Sequence, residues 1–230
     1  MSDIMLLAVF PYLAVMTALG VGIYRYLNDR FSYSSLSSQF LEARALFWGS
    51  VSWHYAILLI LSAHILALLF PSKWAALVGE PVRRYVLEIS GLGLAIVAVG
   101  ALIILIARRL TNRRVFMLTS KMDWLLLLVL LLQVLLGFYL ALVYRWGSVW
   151  YLHTAVPWIA SLFWLKPQIE FVSHLPLLVK LHFAGAFLLV FLFPFSRLVH
   201  FVTVPLGYLW RPYQLVIWNR HPLNRKEMLR

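Results

Sequence analysis

Residues 53–69 read WHYAILLILSAHILALL, an apolar run with no charged residue that carries His54 and His64 ten positions apart. In hydrocarbon an imidazole is costly unless it has a partner, so each histidine is a functional candidate by default. The counterpart lies near the other end of the chain. Residues 175–202, LPLLVKLHFAGAFLLVFLFPFSRLVHFV, form a second run of membrane length with His182 and His200 eighteen positions apart. Read as one helix, eighteen residues make five whole turns and place this pair on one face, about 27 Å apart along the axis.

Composition sets the class. Of 230 residues 63% are hydrophobic and 12% charged, against about 45–50% and about 25% in soluble domains. The chain therefore reads as an all-α integral membrane protein. It has no cysteine, which excludes disulfides, iron-sulfur clusters and haem attachment through CxxCH. Any redox centre must use histidine. The net charge of +12 sits in residues flanking apolar runs, so it reads as a topology signal and contact with lipid, with no nucleic acid expected. Residues 4–24 are too long and too far from a basic segment to be a cleaved signal peptide, and they count as the first span.

Five runs reach the roughly 20 residues needed to cross a bilayer. They fall at about 4–27, 46–70, 86–107, 123–144 and 176–202. An odd number puts the termini on opposite sides. Fourteen of the 20 Lys and Arg residues follow spans one, three and five, which places the N-terminus outside and the C-terminus in the cytoplasm. Residues 1–204 form the five-helix transmembrane domain. The basic, aromatic tail 205–230 is suited to the inner leaflet or to contact with a soluble partner subunit.

Between the spans a few residues carry expectations. Gly91, Gly93 and Gly100 in the third span are expected to permit close helix approach. Gln133, alone in an apolar run, is expected to make one interhelical hydrogen bond. Trp146, Trp150, Trp158 and Trp164 recur in a long external segment, as in a helix lying along headgroups and roofing the outer face. Arg83 and Arg84 fall near the outer interface. His153, His174 and His221 read as ordinary interfacial residues.

Four histidines on two helices form a pattern. With the chain direction above, the second span runs outward and the fifth inward, so His64 pairs with His182 at the outer level and His54 with His200 at the inner. Two such pairs can hold two stacked haems, each clamped by one histidine from either helix. His54 and His64 are only about 15 Å apart and differ by about 80° in azimuth, a mismatch that tilted helices can absorb. Bis-histidine ligation closes both axial positions, so the iron would pass electrons and not bind oxygen. A polar seam between the two spans is the alternative.

The segments SSQFLEARALFWGSVSWHYAILLILSAH and KLHFAGAFLLVFLFPFSRLVHFVTVPLGYLWRPYQLV together resemble the gamma, cytochrome b, subunit of membrane-bound respiratory nitrate reductase, FPFSRLVH being the most specific block. The resemblance covers nearly the whole chain. It implies two haem b groups, the inner on His54 and His200 and the outer on His64 and His182, in a multi-pass protein of the prokaryotic cell (inner) membrane. It implies oxidation of a quinol beside the outer haem, proton release outside, and electron delivery to a cytoplasmic iron-sulfur beta subunit joined to a molybdenum-containing alpha subunit. A basic residue after the second span helps bind quinol in that family, a role that falls here to Arg83 or Arg84. Ala63 stands before the outer ligand. Arg197, three residues from His200, has two readings, a haem propionate or lipid phosphate. Lys180, near His182, has the same two at the outer side, where it joins the quinol-side set. Rival readings are a dihaem cytochrome of another quinone-linked reductase, acting on sulfur compounds or heterodisulfides, and a haem-free transporter or anchor.

Overall fold

A computed structural model describes residues 2–202; the tail 205–230 and His221 lie outside the described residues. Among these, five helices are long and apolar enough to cross a membrane: Met5–Asn28, Arg44–Leu69, Pro81–Thr111, Lys121–Val143 and Leu177–Phe195. They are the first to fifth spans. The second, third and fourth spans start where a polar side chain takes up the open amides of the first turn, whereas the fifth starts after Pro176 without a side-chain cap. Glu42 accepts from the Ala45 and Leu46 amides, Glu80 from those of Val82 and Arg83, and Ser120 and Asp123 form a reciprocal capping box.

Packing runs second on third, third on fourth, fourth on fifth, and fifth on first. The second and fifth spans, which carry the histidines, are therefore separated in this row by the third and fourth and share no extensive contact among the described residues. The second span buries least of itself, 11% of its apolar window against 22–28% for the others. Lipid tails are as apolar as leucine, so close packing and polar contacts hold such helices together. Small residues supply that closeness at Ala56 and Ala98, which pack with Leu102, Leu127 and Val134. At Gly49 a Cβ would stand 2.8 Å from Leu105 Cδ2.

The three glycines of the third span do not do this. A Cβ on Gly91, Gly93 or Gly100 would meet nothing within 4 Å, because Ala95, Ala98, Ala101, Leu102 and Leu105 occupy the buried face. The helix also begins at Pro81, earlier than residue 86, which puts Arg83 and Arg84 in its first turns. Proline suits that first position, where no amide partner is needed.

The fifth span is not one helix to residue 202. The α-helix ends at Leu192, a 3-10 turn covers Phe193–Phe195, Ser196 is extended, and a second 3-10 turn, Arg197–Phe201, carries His200. Pro194 is the physical cause, since it donates no amide hydrogen and its ring obstructs the preceding helical carbonyls. Carbonyls released from the ladder find Arg25 of the first span, whose Nη1 donates to Pro194 O at 2.6 Å and Ser196 O at 3.4 Å. The five-turn spacing of His182 and His200 thus does not apply.

The tryptophan-rich segment forms short helices at Gly147–His153, Ala155–Phe163 and Glu170–Ser173. Trp158 departs from the headgroup expectation. It is 1% exposed in a core with Leu7, Leu140 and Phe183, stacks on Phe183 at 5.3 Å, and donates its indole hydrogen to Leu7 O at 2.9 Å. Trp164, at 79% exposed, remains on the surface.

Candidate functional site

The histidines fall at two levels of the bundle. At one, His54 from the second span and His200 from the 3-10 turn face each other with ring centroids 6.1 Å apart and planes at 78°. Their Nδ1 atoms contact Ser50 O at 2.7 Å and Arg197 O at 2.6 Å. A carbonyl only accepts, so Nδ1 carries the hydrogen in both rings, and the neutral tautomer places the coordinating lone pair on Nε2. His64 repeats the device, its Nδ1 donating to Ile60 O at 2.8 Å.

Arg197 is held in several directions. Its Nε lies 2.6 Å from Asp123 Oδ1 and its Nη2 2.7 Å from Oδ2, while Nη1 donates to Leu36 O at 2.8 Å. The residue expected at a propionate or a lipid phosphate is thus engaged by a carboxylate at the start of the fourth span and by the loop before the second. Asp123 is buried. Arg108 makes a second clamp on that loop, with Nε 2.6 Å from Glu42 Oε2 and Nη2 bonded to the carbonyls of Ser38 and Glu42. The Ala45 amide and then Arg108 hold the Glu42 carboxyl below the ordinary carboxylate range.

At the other level stand His64 of the second span and His182 of the fifth, each with its own immediate neighbour. The His64 ring meets Tyr151 at 5.6 Å, edge to face. His182 rests against Gly137 of the fourth span, where a Cβ would stand 3.0 Å from its Cε1. Gln133, one turn away, donates through Nε2 to His182 O at 3.0 Å, the interhelical bond expected of it. Burial pushes the Tyr151 phenol up to about 12, so it stays protonated and serves as a donor.

The basic residues at this end differ in their engagement. Arg83 pairs with Glu80 at 3.8 Å and donates to Ala76 O. Arg84 lies over the Trp146 ring at 4.5 Å, and its Nε is buried with no hydrogen-bond partner among the described residues. Trp146, in the left-handed region at φ 65°, starts the helix that carries Tyr151. Lys180 Nζ pairs with Asp3 Oδ2 at 2.8 Å, which ties the N-terminal turn to the fifth span. Ala63 packs beside Ala67, Trp74 and Val78. His174 is exposed, with its Nδ1 3.3 Å from Glu170 O.

Sequence reasoning missed Asp123, Tyr151 and Gly137. Asp123 had a signal, the capping pattern Ser120 to Asp123 ahead of an apolar run. Tyr151 and Gly137 had none, because their roles depend on which helix lies opposite.

Comparison with known proteins bears on this arrangement. The family model for the nitrate reductase gamma subunit matches residues 3–219. The nitrate reductase gamma chain of Bacillus subtilis is 32% identical over 216 residues, 93% of this chain and 97% of that one. The nitrate reductase-like protein NarX of Mycobacterium tuberculosis is 34% identical over 212 residues, 89% of this chain and 32% of that longer protein. The respiratory nitrate reductase 1 gamma chain of Escherichia coli is 28% identical over 213 residues, 90% and 94% of the two. With five membrane-length helices and a family match over most of its length, this chain belongs to the nitrate reductase gamma subunit family.

Proposed function

We propose that the chain is the dihaem b, quinol-oxidising membrane subunit of a nitrate reductase complex. The observation that carries this reading is the His54–His200 geometry. Two imidazoles on one metal, each nitrogen about 2 Å from it, have ring centroids about 6 Å apart, and the two rings stand at 6.1 Å. Two imidazoles fill the axial positions and leave four equatorial ones, a donor set that suits a porphyrin with its own four nitrogens. The Nδ1–H bonds to Ser50 O and Arg197 O fix the tautomer that ligation needs.

His64 and His182 hold the second haem at the tryptophan-rich end. Bound there, the two haems supply one-electron carriers that connect the bilayer faces. The protein's own groups bind and orient. Arg84, with its unpartnered buried Nε, presents a donor to a quinol oxygen near His64, with Arg83, Lys180 and Ala63 bordering the site. Tyr151, protonated at working pH, packs edge to face against the His64 ring and orients it. Protons from quinol leave at this face, taken as the outside from the distribution of Lys and Arg. Electrons leave toward the cytoplasm, where the end carrying Arg108, Asp123 and Arg197 and the tail 205–230 face the iron-sulfur beta and molybdenum-containing alpha subunits. Each charge moved works against about 2.3 kcal/mol per 100 mV of membrane potential.

The test is a reduced-minus-oxidised visible spectrum of the purified complex, followed by His54→Ala and His182→Ala. We expect a b-type spectrum with two haems per chain, and one haem lost in each variant. A complex without haem after expression in sufficient iron, or variants that keep both haems, would overturn the reading.

A further inference from the structure

Four buried side-chain nitrogen or oxygen atoms lack a hydrogen-bond partner among the described residues: Arg84 Nε, Trp150 Nε1, His182 Nδ1 and Gln133 Oε1. The arginine and indole nitrogens are donors, and His182 Nδ1 becomes one once Nε2 serves a metal. Gln133 Oε1 is the one acceptor of the set. It belongs to the residue whose amide already holds His182 through the main chain.

His182 also differs from the other three candidate ligands. His54, His64 and His200 each give Nδ1–H to a carbonyl three or four residues back in their own turn. His182 makes no such bond, because its ring is turned onto Gly137 of the facing helix. Two glycines make that placement possible. Gly137 leaves room for the ring, and Gly185 leaves room for Gln133 Oε1, which a Cβ at 185 would strike. Gln133 and Gly137 are four residues apart and share a helix face, as do His182 and Gly185 three apart. The outcome is a glutamine and a histidine set side by side in a dry region, each with one unmet hydrogen-bonding atom of opposite kind, a state that is expensive if left unmet.

We infer that Gln133 is the positioning residue of the outer haem ligand: its amide nitrogen fixes the His182 backbone, and its Oε1 receives the His182 Nδ1 hydrogen when Nε2 is on iron. This rests on the reading of His182 as a ligand. A metal-bound imidazole that gives its other hydrogen to an acceptor is more basic and donates more strongly to the metal. Gln133 therefore sets the electron affinity of one haem and leaves the other alone.

The experiment is redox potentiometry with low-temperature electron paramagnetic resonance on the purified complex carrying Gln133→Leu, Gln133→Glu or Gly185→Ala. Gln133→Leu removes the acceptor and favours iron(II). At fixed ambient potential the reduced-to-oxidised ratio of the outer haem rises by roughly threefold to tenfold, tenfold being about 59 mV for one electron. Gly185→Ala pushes Oε1 aside and shifts the ratio the same way. Gln133→Glu offers a stronger acceptor and shifts it in the opposite direction, with the inner haem unmoved in all three. The inference fails if the outer haem keeps its ratio and ferric signal in every variant, or if the Leu and Glu variants move it in the same direction, as mere loosening would. Should Gln133→Leu lose the outer haem, the Glu and Gly185→Ala variants decide. Retention of both haems by His182→Ala would instead defeat the ligand reading itself.

Discussion

Arg197 lays two guanidinium nitrogens on the buried carboxylate of Asp123, at 2.6 and 2.7 Å, while its own carbonyl takes the Nδ1 hydrogen of His200 at 2.6 Å. One residue thus joins the start of the fourth span to the imidazole on the 3-10 turn. Removing one partner of a buried pair leaves the other uncompensated, which costs about 3–5 kcal/mol when both are fully buried. The Arg197 side chain is 27% exposed, so Asp123→Asn should cost less, about 2 kcal/mol after that discount. A thermal melt of the complex followed by haem absorbance checks it. Asp123→Glu should recover most of the loss, and an Asn variant as stable as the parent would show that the pair does not hold the turn.

The two arginines of the third span's first turns separate into a structural and a functional candidate. Arg83 is spoken for by Glu80 and the Ala76 carbonyl. Arg84 keeps a buried Nε without a partner beside the Trp146 ring. Stopped-flow reduction of the haems by a quinol analogue should therefore slow roughly tenfold in Arg84→Ala, the value of one hydrogen bond to a charged donor. Arg83→Ala should change little, and haem content should be intact in both. Equal rates in the parent and the Arg84 variant would remove Arg84 from the quinol site.

The sequence made the five spans legible because each is an unbroken apolar run, and the histidines because a polar ring in such a run stands out. It did not show where the fifth helix ends. Pro194 was visible, yet the run of hydrophobicity through Phe195 and beyond His200 masked the break, since hydropathy has no period to lose when every face is apolar. The glycines misled in the same way. Gly91, Gly93 and Gly100 were grouped in one helix and invited a packing role, whereas Gly49, Gly137 and Gly185 approach other helices closely, and which face is opposed is a tertiary fact.

Glu42 caps the second span and grips Arg108, whose side chain is 1% exposed. Its pKa is depressed in the folded protein, so its stabilisation is fully present above the unfolded-state value near 4.5 and is lost as pH falls through the lower folded value. Glu42→Gln should melt at lower temperature than the parent at pH 7, and the gap should close on acidification below about pH 4. Parallel melting curves across that range would mean that the charge of Glu42 contributes nothing.

Gly137 offers the sharpest steric test of the level that holds His182. A Cβ there would stand 3.0 Å from His182 Cε1 and 3.7 Å from Nε2, where the ring of the fifth span rests on the fourth. Alanine demands a shift of a few tenths of an ångström, which a tilt of the imidazole supplies, so Gly137→Ala should keep both haems and alter only the ferric signal of the outer one. Leucine cannot be accommodated by tilting, because overpacking a close helix contact moves backbone and costs typically about 1–3 kcal/mol. Gly137→Leu should therefore retain the haem on His54 and His200 and lose the other, halving the b-type absorbance per chain. Loss of both haems, or full retention, would show that Gly137 does not govern the His182 ring.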